Sequence, residues 1–283
     1  MSRSIPSGSL SGNKSINMMP ESFDEPALLQ GTHAGRNKLA IMQPYFLPYL
    51  GYFQLINAVD LFVVYDNIKY TKKGWINRNR FLLNGKDALF TIPIAASSDF
   101  LDVSQKSLAN DYTKESGHIL ARIRQAYRKA PQFGQIYPVI ESIFTHDNRN
   151  LFGFIFHAIR TIVQLLDITT ELIVSSSLDI DHQSKGVLKV LAICQKLQAD
   201  TYINPIGGIE LYAGQDFRAS GVNLYFHNME VVAYRQAGTE FISHLSIIDV
   251  LMFNSLPQVK AMLQQFKLLE PADIIHTGEP KTE

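Results

Sequence analysis

The stretch from Asp66 to Arg80 concentrates side chains that bind charged and aromatic ligands. Five cations surround Trp75, the only tryptophan of the chain: Lys69, Lys72, Lys73, Arg78 and Arg80. Asn77 and Asn79 alternate with the arginines. Arginine binds phosphate or carboxylate with paired N–H donors, and an indole offers a flat face to a base or a sugar. We therefore predict a binding site for a phosphorylated ligand; a solvated basic loop around a core tryptophan is the structural alternative.

Asp66 itself follows an apolar run, Leu61–Tyr65, that is typical of a buried strand. In open α/β sheets, ligands bind beyond the carboxyl ends of the strands. A carboxylate at that position can hold a ribose hydroxyl, bind a metal or act as a base. The residue types alone do not choose among these roles.

A second group of candidates follows an earlier apolar run, Leu39–Met42. The predicted substrate-binding residues of this loop and the helix after it are Gln43, Tyr45, Tyr49, Gly51 and Tyr52. Tyr49 to Tyr52 occupy the place where nucleotidyltransferases of the HxGH type carry two histidines at a helix start, which favours phosphate. Tyrosine stacks and donates hydrogen bonds but brings no positive charge. We predict ligand binding by this loop and disfavour nucleotidyl transfer; aromatic residues that partly fill the core are the alternative.

Two weaker candidate regions lie later in the chain. Asn204, Gly207 and Gly208 follow a predicted strand, and backbone amides there could bind an anion or simply form a turn. His244 is a candidate base five residues before Asp249, a spacing that does not require a shared helix face. No histidine pair has the HExxH spacing, so we predict no metal site, and no motif identifies a cofactor.

The elements that position these residues alternate in type. Strand Leu39–Met42, helix Tyr49–Asn57 and strand Leu61–Tyr65 form the βαβ unit that opens a parallel sheet. Asn84-Gly85 between apolar runs predicts a hairpin with a type I′ turn, which the following Lys-Asp could widen. Helical periodicity from Asp111 to Leu166 predicts a helical block that covers one face of the sheet.

The remaining segments continue the alternation. We predict strands over Thr169–Val174, Thr201–Ile203 and Val222–Phe226, helices over Gln183–Gln198 and Ser246–Asn254, and a short helix at Leu211–Ala213. The fold class is therefore α/β, with a mostly parallel sheet of nucleotidyltransferase-like (HUP or Rossmann-like) type, a hairpin and a helical insertion. A single domain is expected over 38–270, after a disordered leader at 1–37 and before a flexible tail at 271–283.

The composition narrows the function classes. Lysine plus arginine equal aspartate plus glutamate at 26 each, so no overall charge favours nucleic acid or an anionic membrane. Cys194 is the only cysteine, which excludes an intrachain disulfide. The chain shows neither an uninterrupted apolar run long enough for a membrane helix nor a signal-peptide pattern at its start, so we expect a cytoplasmic protein.

Four stretches together resemble the WbqC-like family: KLAIMQPYFLPYLGYFQLI, VYDNIKYTKKGWINRNRFLLNG, YINPIGGIELY and LSIIDVLMFN. The matching motif positions are Gln43, Pro44, Tyr45, Pro48, Gly51, Tyr52, Asp66, Trp75, Asn77, Arg78 and Arg80. The resemblance spans about Lys38 to Leu256, and the leader departs from the usual family start. Because that family is associated with gene clusters for O-antigen, capsule and other surface polysaccharides, the resemblance implies a role in making or modifying an unusual sugar, an amino sugar carried on a nucleotide.

The leading functional prediction is an enzyme that acylates or aminoacylates such a sugar, with an acyl or aminoacyl donor as its second partner. The basic loop would bind the nucleotide diphosphate, and Asp66 or His244 would act as the base. Nucleotidyl or adenylate chemistry on the HxGH-like scaffold is one alternative, and a non-catalytic binding or assembly protein is another. A homodimer is possible, and nucleic-acid binding is disfavoured because the basic patch is confined to one loop.

Overall fold

The computed structural model of the protein describes residues 37–238 and 240–272, which belong to one compact unit. The predicted leader, apart from Asn37, lies outside the described residues. The same holds for the predicted tail from residue 273 onward.

The opening βαβ unit is confirmed. Strand β1 (Lys38–Met42) and strand β2 (Leu61–Val64) pair in parallel, and helix α1 (Leu50–Asn57) connects them. All residues of α1 from Leu50 to Ile56 are buried. An apolar helix of this kind is buried on every side, so α1 lies inside the molecule between the sheet and the later helices.

Six strands form the main sheet, in the order β5-β2-β1-β6-β7-β8. The later strands are β5 (Glu171–Val174), β6 (Thr201–Pro205), β7 (Asn223–Met229) and β8 (Phe266–Leu269). Every pair is parallel except β7 with β8, which confirms a mostly parallel sheet. Strand β8 was not predicted, because it consists of only four residues of mixed polarity and its extended conformation depends on pairing with β7.

Alternate residues of the central strands face opposite layers, as the two-residue period of a strand requires. Leu39, Ile41 and Val63 share one apolar cluster with helix α5 (Gly186–Lys196) and helix α6 (Gly214–Ala219). Ala40, Phe62 and Val64 belong to the larger core on the other face, together with α1. Helices therefore lie on both sides of the parallel sheet.

The hairpin consists of β3 (Arg78–Leu83) and β4 (Lys86–Thr91). Asn84 and Gly85 have φ values of 53° and 76°, which fits a two-residue type I′ turn. Leu83 pairs directly with Lys86, so the following Lys-Asp belongs to β4 and does not widen the turn. Strand β3 begins at Arg78 and therefore places Arg78 and Arg80 on a strand.

The helical block consists of α2 (Tyr112–Tyr127), α3 (Phe133–Phe144) and α4 (Leu151–Leu165). Helix α2 packs on β3, and α3 packs on helix α7 (Ile247–Phe253). These helices share the larger core with the face of the sheet that carries Phe62. Helix α8 (Leu256–Met262), which was not predicted, follows α7 and starts with a Ser255–Gln258 capping box.

The short helix predicted at Leu211–Ala213 is wrong. A 3₁₀ helix covers Ile206–Leu211, and α6 begins only at Gly214. Tyr212 and Ala213 are extended. Among the described helices, none combines the length and apolar character needed to cross a membrane.

Candidate functional site

The carboxyl ends of the parallel strands form one edge of the sheet. Their last residues, in spatial order, are Val174, Val64, Met42, Pro205 and Met229. The chain runs outward from β1 through β2 to β5 on one side, and from β6 to β7 on the other. Ligands of doubly wound sheets bind where the strand order reverses in this way. Gln43 directly follows β1 at this point, and its side chain is exposed.

A strained turn follows Gln43 and is held by two later segments. Leu47 has a φ of 44°, a left-handed conformation that costs an ordinary residue roughly 1–2 kcal/mol. Its carbonyl oxygen accepts hydrogen bonds from Asn79 Nδ2 at 2.8 Å and from Ser246 Oγ at 2.7 Å. Asn79 also donates to the Phe46 carbonyl at 3.1 Å. The turn therefore depends on the hairpin and on the segment before α7.

Asn77 lies in a similar buried position. Its Nδ2 donates to the Ile92 carbonyl at 2.7 Å, and its Oδ1 accepts from the Tyr70 hydroxyl at 2.8 Å. Both asparagines are about 5% exposed or less. In this conformation their amides bind the protein itself, so they position the basic loop and do not present polar atoms to solvent.

Trp75 and its neighbours form an exposed surface that we call the Trp75 cluster: Trp75, Arg78, Arg80 and His244. The indole is 41% exposed, and the guanidinium carbons of Arg78 and Arg80 lie 5.7 and 5.8 Å from its centroid. Arg78 donates to the carbonyls of Gly74 and Lys73, which folds the loop back on itself. The predicted core alternative for Trp75 is therefore wrong.

The Arg80 guanidinium is only partly engaged. Its Nη1 forms an ion pair with Asp87 at 3.0 Å, and its Nη2 lies 3.5 Å from the His244 carbonyl. Its buried Nε has no hydrogen-bond partner among the described residues. Since half-exposed ion pairs of this kind contribute little to stability, the guanidinium can exchange partners at small cost.

The lysines of the loop are exposed. Lys72 pairs with Asp99 at 2.8 Å, and Lys69 Nζ lies 5.4 Å from the Phe100 ring centroid. Lys73 is also exposed. These ammonium groups can reorient in solvent, so they supply positive charge near the site without fixed geometry.

His244 lies beside the start of α1. Its ring centroid is 5.6 Å from that of Tyr49, and its Nδ1 is 2.9 Å from Ser243 Oγ. Partial burial, together with the charge of Arg80, lowers the pKa of His244, which keeps its imidazole neutral near pH 7. His244 has a φ of 57°, an uncommon backbone conformation for this residue.

The place that resembles an HxGH site is filled by protein. A Cβ at Gly51 would collide with the Tyr49 ring and with Met229 Sδ, so the glycine permits this close packing. Tyr52 is buried and donates its hydroxyl to the Gln43 carbonyl at 3.0 Å, while the Tyr45 ring lies 5.8 Å from that of Tyr52. A cavity of about 30 Å³ lies between Tyr49, Met229 and His244, which is room for little more than one water molecule.

On the opposite side of the edge, polar groups surround a buried lysine. We call Asn67, Ser175, His182 and Lys189 the Lys189 network. Lys189 is 7% exposed and belongs to the first turn of α5. Its Nζ lies 3.3 Å from Asn67 Oδ1 and 4.9 Å from the Tyr65 ring centroid. Within the part of the chain that the structure describes, Lys189 forms no ion pair.

Asp66 lies next to this network and is 3% exposed. Its Oδ1 accepts a hydrogen bond from the Ser176 amide at 2.8 Å, and its backbone carbonyl accepts from the Ser104 amide at 3.1 Å. Asp66 thus connects the ends of β2 and β5. Over residues 37–238 and 240–272, no group of three or more His, Cys, Asp or Glu side chains could hold a metal ion.

The two predicted bases, Asp66 and His244, are not brought together. Asp66 follows β2, whereas His244 borders the cavity at the end of β7. These strand ends are three strand spacings apart, roughly 14 Å. One ligand of nucleotide-sugar size could contact both sides, but the two groups cannot act on the same proton.

Gly207 and Gly208 follow β6, and Gly208 leaves room for the side chain of Asn204. Asn204 is buried, accepts from the Tyr202 hydroxyl at 3.1 Å and donates to the Pro205 carbonyl at 3.0 Å. A Cβ at Gly208 would collide with the Asn204 amide. Gly207 faces open space. Both glycines lie in the 3₁₀ helix that borders the point where the strand order reverses.

Asp249, which is fully buried, occupies the centre of a separate set of hydrogen bonds. Its carboxylate accepts from Tyr127 at 2.8 Å, from Tyr234 at 2.7 Å and from Gln236 Nε2 at 2.9 Å. The Tyr127 hydroxyl in turn accepts from the Leu82 amide at 3.0 Å. Asp249 therefore joins α7, α2, the hairpin and the segment 230–246, and it does not face the candidate site.

Segment 231–241 also borders a groove of about 740 Å³ on its other side. Lys129, Pro131, Arg235 and Phe253 are among the residues that line it. Its volume is in the usual range for small-molecule sites, and Tyr234 and Phe241 line both this groove and the small cavity near His244. Polar groups from several strand ends converge at the edge of the sheet, and this convergence defines the candidate site.

Sequence reasoning missed Lys189 and His182. The signal for Lys189 was present as one cation within the apolar run Val187–Cys194, at the start of a helix that follows a strand. Its importance is visible only because the fold brings that helix to Asn67 and Asp66. Burial raises the pKa of the Cys194 thiol in the same helix to about 12, which removes that residue as a nucleophile.

Comparison with known proteins gives one family and one relative. A family model described as the WbqC-like protein family matches residues 43–261. The uncharacterized protein Rv1507c of Mycobacterium tuberculosis (strain H37Rv) is 26% identical over 221 residues, which cover 77% of this chain and 93% of that protein. No solved structure matches. Since the family model covers well over half of the sequence, this chain belongs to the WbqC-like protein family.

Proposed function

We propose that this protein is an enzyme that transfers an acyl or aminoacyl group to the amine of a nucleotide-linked sugar. One observation carries the proposal: the exposed Trp75 cluster and the buried groups around Asp66 lie along the same edge of a parallel sheet. The cluster suits a nucleotide diphosphate, and the buried groups suit proton transfer. The family setting implied by the sequence motifs adds the amino sugar.

The topology supports the nucleotide part of the proposal. When the five parallel strands are numbered in chain order, their spatial order is 3-2-1-4-5, which is that of doubly wound nucleotide-binding sheets. We therefore propose that the fold is of the nucleotidyltransferase-like type. The base would stack on Trp75, and the diphosphate would meet Arg78, Arg80, Lys69 and Lys73. Gln43, Tyr45 and the turn at Gly207 and Gly208 would contact the sugar.

The transfer step needs a group that removes a proton from the attacking amine. Asp66 is a buried carboxylate at the edge, and His244 is neutral at physiological pH because of its lowered pKa. Either group satisfies the chemical requirement of a base. An enzyme that consumes a water-soluble nucleotide sugar would act in the cytoplasm, and a homodimer remains a prediction that light scattering of the purified protein can test.

Binding is tested first by calorimetry with a panel of nucleoside-diphosphate amino sugars. At least one should bind in the micromolar range, and Arg80→Ala should weaken it about fivefold, since an exposed charged contact contributes about 1 kcal/mol. Lys114→Ala is the matched control, because Lys114 is an exposed cation on α2. Failure of every panel member to bind would reject the proposal.

Catalysis is tested with the sugar that binds and a panel of acyl and aminoacyl donors. Mass spectrometry should detect an amide on the sugar. Asp66→Asn should keep binding and reduce transfer about 100-fold if the carboxylate acts on a proton. A non-catalytic binding protein would instead give binding without product, and Asp66→Asn would leave polysaccharide formation in cells unchanged.

Nucleotidyl or adenylate chemistry is a second candidate, favoured by the same strand order. It predicts ATP binding with Mg²⁺ and release of pyrophosphate in the presence of a sugar phosphate or an amino acid. The packing of Tyr49 and Met229 around Gly51 weighs against it, because these side chains fill the start of α1 where phosphate would bind.

A further inference from the structure

Lys189 has the surroundings of a reactive amine. It is 7% exposed, and yet no carboxylate within the described residues lies at ion-pair distance from its Nζ. A buried ammonium without a partner is costly, so lysines in such places are usually paired. Lys106, at 2% exposed, donates two short hydrogen bonds, to Ser98 O at 2.8 Å and to Ser97 Oγ at 3.0 Å, whereas the polar contact of Lys189 is one longer hydrogen bond to Asn67 Oδ1 at 3.3 Å.

The network around Lys189 fixes the orientation of its one polar contact. His182 Nε2 lies 2.9 Å from the Leu178 carbonyl, which can only accept, so this nitrogen carries the proton. His182 Nδ1 is then an acceptor for Asn67 Nδ2 at 2.9 Å. Asn67 Oδ1 consequently faces Ser175 Oγ, which donates at 3.0 Å, and Lys189 Nζ. The hydrogen bonds from His182 and Ser175 thus hold the side-chain oxygen of Asn67 towards the Lys189 amine.

The charges around Lys189 act in opposite directions. Burial lowers the pKa of the ammonium, whereas the carboxylates of Asp102 and Asp66 raise it. The other titratable groups nearby are His182, whose tautomer is fixed, and Tyr65, whose pKa is raised by burial. The lowering prevails, so the folded protein releases this proton more readily than a free lysine does, and the two carboxylates favour the ammonium form.

We infer that Lys189 is the proton acceptor of the transfer reaction, with Asp66 as the group that stabilises its protonated form. This inference rests on the proposed function. The sugar amine attacks the acyl carbonyl of the donor, and the new C–N bond forms as Lys189 Nζ takes the N–H proton. The bond from the carbonyl to the leaving group then breaks, and Lys189 returns the proton to that group, which restores the neutral amine. Asn67 is a positioning residue, because it touches only the lysine and its support.

The first test measures the lysine itself, without substrate. In protein labelled with ¹³C at lysine Cε, the Lys189 resonance is identified by its absence from the Lys189→Met spectrum and is followed from pH 6 to 11. It should titrate at lower pH than Lys114 and Lys129, which are exposed. A Lys189 resonance that titrates together with these two would overturn the inference and leave the proposed function standing.

The second test measures transfer. Lys189→Met should bind the nucleotide sugar within about twofold of wild type and lose about 100-fold in turnover. The wild-type rate should fall as the pH drops below the pKa found by NMR, and the residual rate of the variant should lack this dependence. Lys196→Met, at the other end of α5, is the matched control because Lys196 is half-exposed and pairs with Asp179. Unchanged turnover in Lys189→Met would overturn the assignment.

The two tests separate the possible failures. If wild type binds no nucleotide sugar and makes no product, the proposed function fails, and the role of Lys189 in the transfer fails with it, whatever its titration shows. If Lys189→Met does not fold, Lys189→Gln provides the turnover measurement, and the titration of the wild-type lysine remains decisive.

Discussion

Two buried carboxylates show how differently this fold uses the same chemical group. Asp249 is 0% exposed and accepts hydrogen bonds from Tyr127, Tyr234 and Gln236. Asp66 is 3% exposed, and its carboxylate accepts a hydrogen bond from the backbone amide of Ser176. The first carboxylate is surrounded by side-chain donors from several elements, and the second lies beside a lysine that it does not touch.

The difference indicates which carboxylate holds the structure together and which is available for chemistry. Burial raises the pKa of Asp249, and the three donors oppose that rise, so the group is costly alone and stable in its network. The segment 230–246 contains no regular helix or strand among its described residues, and Asp249 supplies its buried anchor. The Asp66 carboxylate keeps acceptor capacity at the edge of the sheet that carries the candidate site.

The largest expected effect is on stability. Asp249→Ala would leave two tyrosine hydroxyls and the Gln236 amide without their acceptor, and we expect a loss of about 3–5 kcal/mol in the free energy of unfolding. Urea denaturation followed by circular dichroism measures it. Asp216→Ala, an exposed aspartate on α6, is the control and should change the free energy by less than about 0.5 kcal/mol.

The same measurement on Asp66 sharpens the comparison. Asp66→Asn keeps an oxygen that can accept from the Ser176 amide, so we expect a loss of only about 1 kcal/mol. A loss as large as that of Asp249→Ala would mean that Asp66 is a structural carboxylate, and its proposed part in proton transfer would have to be abandoned.

The two regions should also differ in the sign of their pH dependence. The raised pKa of Asp249 means that the folded state holds this proton more tightly than the unfolded chain, whose aspartate pKa is about 3.9. The contribution of Asp249 to stability is therefore full below about pH 3.9 and falls as the pH rises through its higher pKa in the folded state. The lowered pKa of Lys189 has the opposite effect. Between the pKa of the folded lysine and about pH 10.4, the unfolded chain holds this proton more tightly than the folded protein does. The contribution of Lys189 to stability therefore rises with pH in that window.

Unfolding free energies measured over a pH series test these signs. Relative to Asp249→Asn, wild type should lose stability as pH rises above about 4. Relative to Lys189→Met, wild type should gain stability towards alkaline pH. Parallel curves for either pair would show that the corresponding pKa is not shifted in the folded protein.

The smallest expected effect concerns the Trp75 cluster. Trp75→Ala removes an exposed ring that lies near two guanidinium groups, and we expect a loss of about 0.5–1 kcal/mol in nucleotide-sugar binding. The unfolding free energy should barely change, because the indole is 41% exposed. Calorimetry at low and at high salt measures the loss, and Leu89→Ala, which removes an exposed apolar side chain of β4, is the control.

Local patterns predicted most of the elements correctly because their signals lie within a few residues. The type I′ turn follows from Asn84-Gly85, and the opening βαβ unit follows from two apolar runs around a short helix. The failures occurred where tertiary contacts create the order. Strand β8 forms because its backbone pairs with β7 at the edge of the sheet. After β6, a 3₁₀ helix begins at Ile206, whereas the predicted helix began at Leu211.

The sequence by itself determined the family, the parallel sheet and the positions of the polar residues that follow its strands. Only the tertiary structure decided which of them share a site. Asn79 lies between Arg78 and Arg80 on β3, and the pleat directs the asparagine into the core and the arginines towards Trp75, whereas Asn77 is buried just before the strand begins. Burial and long-range contact also placed Lys189 beside Asn67, although 122 residues separate them in the chain. Such proximity depends on how distant elements pack, which no short stretch of sequence encodes.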